Sequence, residues 1–208
     1  MTDVAYHRDF LKPDHIKWMQ EYLDEFDWYH HTQHYGWLYD VRAVWQNDFK
    51  GQYIGKLPFG ILEVALKVEE LHLTFMPDMC TVYNVMPSFG IKATAEHGYF
   101  KDNLAIVNVG APITLRLDPQ SNDFGKKKKA YLETGSMLHI GPDMFWRYFW
   151  SIDDESVFTW QGKEYNRARS IIMVFREVND LVYNNEVVDH VRSIGGKLSN
   201  VEEINGES

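Results

Sequence analysis

The sequence predicts an α+β chain, with helices first and a barrel or sandwich of short strands after them. Three observations predict it. Apolar residues recur at helical spacing in the first third of the chain, at Ile16, Met19 and Leu23 and again beyond Pro58. From Cys80 onward the texture changes to short β-branched and aromatic runs, evenly spaced and separated by turn residues. Between the two helical stretches, Trp28 to Phe49 is rich in Tyr, Trp and His, which suits strands and turns better than helix.

The elements follow in order. Pro13 stands where a first helical turn tolerates a missing N–H, and Ile16, Met19, Leu23 and Phe26 then form one stripe, predicting a helix over Pro13 to Phe26. A second helix begins near Pro58, with Leu62, Ala65, Leu66 and Val68 as its expected buried stripe. Strands are expected at Cys80 to Met86, Ala105 to Val109, Ile113 to Leu117, Ser136 to Ile140, Tyr148 to Ile152 and Ser170 to Glu177. Residues 1–178 are therefore read as one domain. Residues 179–208 are read as an appendage: a weakly helical stretch, Glu186 to Arg192, stopped by Gly195-Gly196, and then an acidic tail, Val201 to Ser208, expected to be disordered.

At 208 residues and 45% hydrophobic content, one such domain can bury a core. No stretch is long and apolar enough to span a bilayer, and the first ten residues lack the apolar run of a secretion signal. The single cysteine, Cys80, permits no intramolecular disulfide, so a reducing, cytoplasmic compartment is expected. A net charge of −9 argues against non-specific wrapping of nucleic acid. The one basic run, Lys126, Lys127, Lys128 and Lys129, reads either as a solvated hairpin tip or as a loop that contacts phosphate.

Several local sequences share an order with one family. Phe10-Leu11 precedes the first helix, Trp28 follows it, then come Tyr35-Gly36 and Pro58. Asn84-Val85-Met86 with Gly90 is similar to an Asn-x-Tyr-x-x-Gly segment. Val109-Gly110-Ala111-Pro112 is similar to a Ser-Leu-Gly strand end, Leu132 to Ser136 to a Leu-x-His-Gly turn, and Arg169 to Arg176 to a closing Arg…Thr-Phe-Arg strand. In this order the chain resembles the AlkB-like branch of the Fe(II)/2-oxoglutarate dioxygenases. The resemblance implies a double-stranded β-helix, a jelly-roll or cupin-like distorted barrel, with the N-terminal helices packed on one sheet. It also implies oxidation of methylated nucleic acid with iron and 2-oxoglutarate, and a nucleotide-recognising lid around Tyr35.

The chemistry that the family needs can be tested residue by residue. Iron requires two His and a carboxylate on one face, the first pair being His-x-Asp. His97 is the histidine in the right window, but its i+2 partner is Tyr99, and Glu96 would point to the opposite face of a regular strand. Trp150 falls where the second His belongs, and an indole has no lone pair to give a metal. His139, one strand earlier, reads as a core or hairpin histidine. Of the two co-substrate arginines, Arg176 fits. Six residues before it stands Ser170, and Arg169 is out of phase unless a bulge intervenes. Ser170, Ile172 and Val174 share the phase of Arg176, which makes the pocket drier than the family's.

His30, His31 and His34 would share a face only on a helix, which their neighbours disfavour, so an exposed loop is expected there. Cys80 reads as strand packing, and Asp153-Asp154-Glu155 as a solvated turn rather than a cation site. No phosphate-gripping glycine loop or nucleophile elbow is present.

The sequence thus predicts an AlkB-like fold without iron or 2-oxoglutarate chemistry, acting as a binding module for nucleic acid, a nucleotide or a protein partner. Asn84, His97, Tyr99, Trp150, Arg169 and Arg176 are its pocket candidates, and no cofactor is expected. The alternative is an active, divergent Fe(II)/2-oxoglutarate dioxygenase, with those two cofactors.

Overall fold

The computed structural model describes residues 4–38, 52–94, 96 and 99–179. His97, the stretch Glu186 to Arg192 and the acidic tail lie outside the described residues. In chain order the elements are β1 (Val4–His7), α1 (Pro13–Asp24), β2 (Thr32–Tyr35), β3 (Trp37–Leu38), β4 (Gln52–Tyr53) and α2 (Phe59–Leu71). There follow β5 (Met79–Val85), β6 (Ile91–Thr94), β7 (Phe100–Asn108), β8 (Ile113–Pro119), β9 (Lys128–Leu132) and β10 (Met137–Ile140). The last are α3 (Pro142–Arg147), β11 (Tyr148–Ile152), β12 (Val157–Trp160), β13 (Lys163–Asn166) and β14 (Ser170–Val178).

Two antiparallel sheets face one another. The larger has six strands in the order β1-β10-β7-β14-β5-β2, and the smaller has four in the order β6-β11-β8-β9. The chain is mostly β with few helices, rather than α+β. The difference arises because N-terminal residues and part of the aromatic stretch also pair as strands: β1 joins β10, and β2 joins β5.

Side-chain alternation divides the large sheet cleanly between two cores. Met79 and Val85 of β5, Leu104 and Ile106 of β7, and Ile172 and Val174 of β14 point at the small sheet, meeting Ile113, Leu115 and Leu117 of β8 and Trp150 of β11. The residues between them, Cys80, Val82, Ala105, Val107, Ile171, Met173 and Phe175, point the other way. There they are covered by Met19 and Leu23 of α1 and by Ile61, Val64, Ala65 and Val68 of α2. The N-terminal helices thus pack on the outer face of the large sheet, as the resemblance implied.

The buried stripe of α2 differs from the expected one. Ala65 and Val68 are buried, but Leu62 and Leu66 are 40% and 54% exposed. Apolar residues occupy both sides of this helix, so spacing alone allowed either phase. α1 stops at Asp24 and leaves Phe26 outside it.

One tight corner of the backbone brings β7 against β14. At Gly110 a side chain would put its Cβ 2.2 Å from the Ile171 nitrogen, so only glycine lets the end of β7 lie against the start of β14. Asn108 secures the same corner: its Nδ2 donates to the Ala111 and Leu132 carbonyls, and its Oδ1 accepts from the Gly110 N–H.

Candidate functional site

The centre of the space between the sheets is polar, and it is closed on itself. Arg176 of β14 points inward among Ile172 and Val174, as its phase in the strand predicts. Its Nε donates to Glu96 Oε2 at 2.7 Å and its Nη2 to Glu96 Oε1 at 2.8 Å. The Trp150 indole N–H donates to the same Oε1 at 2.8 Å. The Glu96 and Arg176 side chains are each only 3% exposed.

Other inward residues complete the cage. The Phe100 ring stands 5.3 Å from the guanidinium carbon. Tyr83 meets Trp150 edge-on at 6.0 Å. Burial pushes the Tyr83 phenol up, while the charge of Arg176 and a hydrogen bond from it oppose the shift. His34, half-buried on β2, is held below the ordinary imidazole range by burial and then by Arg176. Its Nδ1 is buried without a hydrogen-bond partner among the described residues.

Glu96 is the residue that strand logic misplaced. An alternating strand through His97 would send Glu96 outward. β6 ends at Thr94, and Glu96 lies beyond it in irregular backbone, so its carboxylate is free to turn inward. No periodicity could have revealed this, because Glu96 stands 80 positions from Arg176 and outside any strand.

The other candidates scatter. Asn84 sits between Tyr83 and Val85, so it faces away from the barrel, where its Oδ1 accepts from Arg169 Nε at 2.8 Å. Arg169 faces outward, in keeping with its phase, and is paired with Asp24 at the end of α1. Asn84 and Arg169 thus join each other on the opposite face of the sheet from Trp150 and Arg176. Tyr99 is half-buried, its carbonyl accepting from the Asn179 N–H at 2.6 Å; the residue that reaches Arg176 is the next one, Phe100.

The lysine run lies on the β8–β9 hairpin and is exposed throughout. Lys127 Nζ is 3.6 Å from Asp118, and Lys128 Nζ lies 5.4 Å from the centre of the Tyr148 ring. Lys129 borders a shallow cleft with Thr114, Asp153, Glu155 and Arg167. His30 and His31 form no helix with His34: they are the middle of a two-residue hairpin closed by Tyr29 and Thr32, with φ of 46° and 65°. Cys80 is fully buried, and burial pushes its thiol well up, which keeps it unreactive.

Sequence reasoning gave no notice of Arg167. This buried guanidinium donates to the carbonyls of Asp153 and Glu155 on one loop and of Met86 and Phe89 on another. Its partners are backbone carbonyls on two separate loops, which leave no side-chain motif to find.

The described residues do not fit an iron centre. Trp150 has no lone pair, both Glu96 oxygens are taken, and no group of three or more His, Cys, Asp or Glu among the described residues could hold a metal ion. No described helix is long and apolar enough to cross a membrane.

No protein-family model matches the chain, and no curated protein matches it. Solved structures do. OsALKBH1 superposes with a TM-score of 0.57 at 14% identity, covering 84% of this chain and 96% of that one. A 2OG-Fe(II) oxygenase-family oxidoreductase from Burkholderia pseudomallei superposes with a TM-score of 0.54 at 9% identity, covering 84% of each chain. With its sheet of six facing a sheet of four and helices on the outer face of the larger, the chain has the double-stranded β-helix fold of the 2OG-Fe(II) oxygenases.

Proposed function

We propose that this chain uses an AlkB-like oxygenase fold for binding and has given up iron and 2-oxoglutarate chemistry. The observation that carries this reading is the Glu96–Arg176 pair. An inward arginine on the last strand is the group that the family resemblance assigns to a co-substrate carboxylate. Here the fork of that arginine is filled by the protein's own carboxylate, in two parallel bonds, and the indole of Trp150 adds a third donor to the same carboxylate. Glu96 supplies from within what a dicarboxylate would bring from outside.

With its centre closed, the molecule meets a ligand at its surface. The exposed lysines at positions 126–129 offer phosphate contacts to nucleic acid or a nucleotide, and the exposed apolar residues Phe59, Leu62 and Leu66 of α2 offer contacts to a protein. The net charge of −9 favours the protein partner over extended nucleic acid.

One observation supports a second reading, an active divergent dioxygenase: His34 presents a buried nitrogen, without a partner among the described residues, on the same inner wall as Arg176. A direct assay separates the two. Protein purified without oxygen is supplied with Fe(II) and 2-oxoglutarate, and bound iron and succinate are followed. The binding reading predicts neither stoichiometric iron nor turnover. Turnover abolished by His34→Ala or His97→Ala would establish the oxygenase instead. Binding of short single strands at two salt concentrations, compared with a variant in which all four lysines are neutralised, then tests the nucleic-acid surface.

A further inference from the structure

On the helix-covered side of the large sheet, away from the Glu96–Arg176 pair, three histidines from three elements meet. His7 ends β1, His139 lies on β10, and His72 is the C-cap of α2. His7 and His139 share a face because His7 pairs with Met137, two residues before His139. The His72 ring lies flat on His139 with centroids 3.8 Å apart. His139 is buried, and its Nε2 is fixed by Asn103 Oδ1 at 3.0 Å. His7 and His72 are only partly covered, and their Nε2 atoms face each other at 3.2 Å, with the rings 82° apart.

We propose that His7 and His72 form a two-imidazole site for a borderline divalent transition cation of the Zn²⁺ class, completed by water. Two imidazole nitrogens bound tetrahedrally at ~2.0–2.1 Å from one zinc stand about 3.3–3.4 Å apart, close to the separation found here. As a direct N–H···N bond, 3.2 Å is at the long end of the range and uses only one of the two lone pairs. Burial and the neighbouring His7 shift His72 below the ordinary imidazole pKa.

His139 stacks on His72 with its Nε2 held by Asn103, and no group of three or more His, Cys, Asp or Glu among the described residues could hold a metal ion, which leaves the remaining positions to water and sets the affinity below that of a closed four-ligand site. A cation here would pin the short edge strand β1 to the end of α2, across 65 positions of sequence.

The test is a zinc titration of the full chain against a chromophoric chelator at about pH 7.5, where histidines are largely deprotonated. His7→Gln and His72→Gln keep the bulk of the side chains. His30→Gln with His31→Gln controls for exposed histidines elsewhere. One equivalent is expected in the wild type and in the control. Affinity should fall at least ~tenfold in either single variant, as for loss of a ligating group. Zinc should also raise the thermal midpoint of the wild type and not of the variants. The proposal is overturned if the wild type takes up no zinc, if both single variants bind as it does, or if the His30/His31 variant is the one that loses binding.

Discussion

Glu96 and Arg176 come from opposite sides of a gap of 80 positions and bond through both carboxylate oxygens between the two sheets. A pair so buried contributes little net stability over well-packed apolar residues, because both charges give up their water. Breaking it is a different matter. Glu96→Ala leaves a buried guanidinium without its carboxylate and should cost about 3–5 kcal/mol in urea unfolding. Replacing both partners by methionine should cost far less, and the double-mutant cycle should show strong coupling. Additive losses would mean that the two side chains stabilise the barrel independently of each other.

Acid should act on the opposite side of the sheet. Burial, then His72 and His7, lower His139 from the ordinary 6.5 to about 4, so the folded chain prefers its neutral form. Stability from this group is present above the unfolded value and is lost as pH falls from about 6.5 towards 4, a change on the order of 3 kcal/mol. Urea unfolding at several pH values, with chelator present, should show this slope in the wild type and a shallower one in His139→Gln.

The His30-His31 turn carries strain. Both residues have positive φ in a two-residue hairpin, where Asn followed by Gly is the favoured pair. The double substitution His30→Asn with His31→Gly should therefore stabilise the fold by about 1–2 kcal/mol. A lower urea midpoint would show that the histidines make compensating contacts, of which the one between His31 and Phe89 is the candidate.

Two glycines should respond differently to alanine. Gly110→Ala drives a methyl into the β14 backbone and should cost several times the ~1 kcal/mol expected at Gly162, where φ is 78° and nothing stands within 4 Å. Thermal unfolding of the two variants side by side checks the ranking.

Much of the fold was legible because the interior strands obey simple rules. Ser170, Ile172, Val174 and Arg176 alternate as a strand must, and Ile172, Val174 and Arg176 do face the barrel. The edge elements were harder to read. β1, β2 and β6 are four residues each, too short for alternation to rise above the background. Between the sheets, the inward phase of Arg176 was legible and the inward turn of Glu96 was not, because a period of two says nothing about a residue outside a strand. The phase error in α2 came from a helix apolar on both sides. The histidine cluster was out of reach for another reason: its members are far apart in sequence, and only the folded sheet brings them together.

The short strand β1 also shields its neighbour. Among the described residues it is the strand that covers the outer edge of β10, whose every residue, Met137 to Ile140, is buried. Removing the first eight residues would uncover a row of unsatisfied amides and carbonyls beside apolar side chains. That is the kind of edge on which chains join strand to strand, so the truncated protein should self-associate before it unfolds.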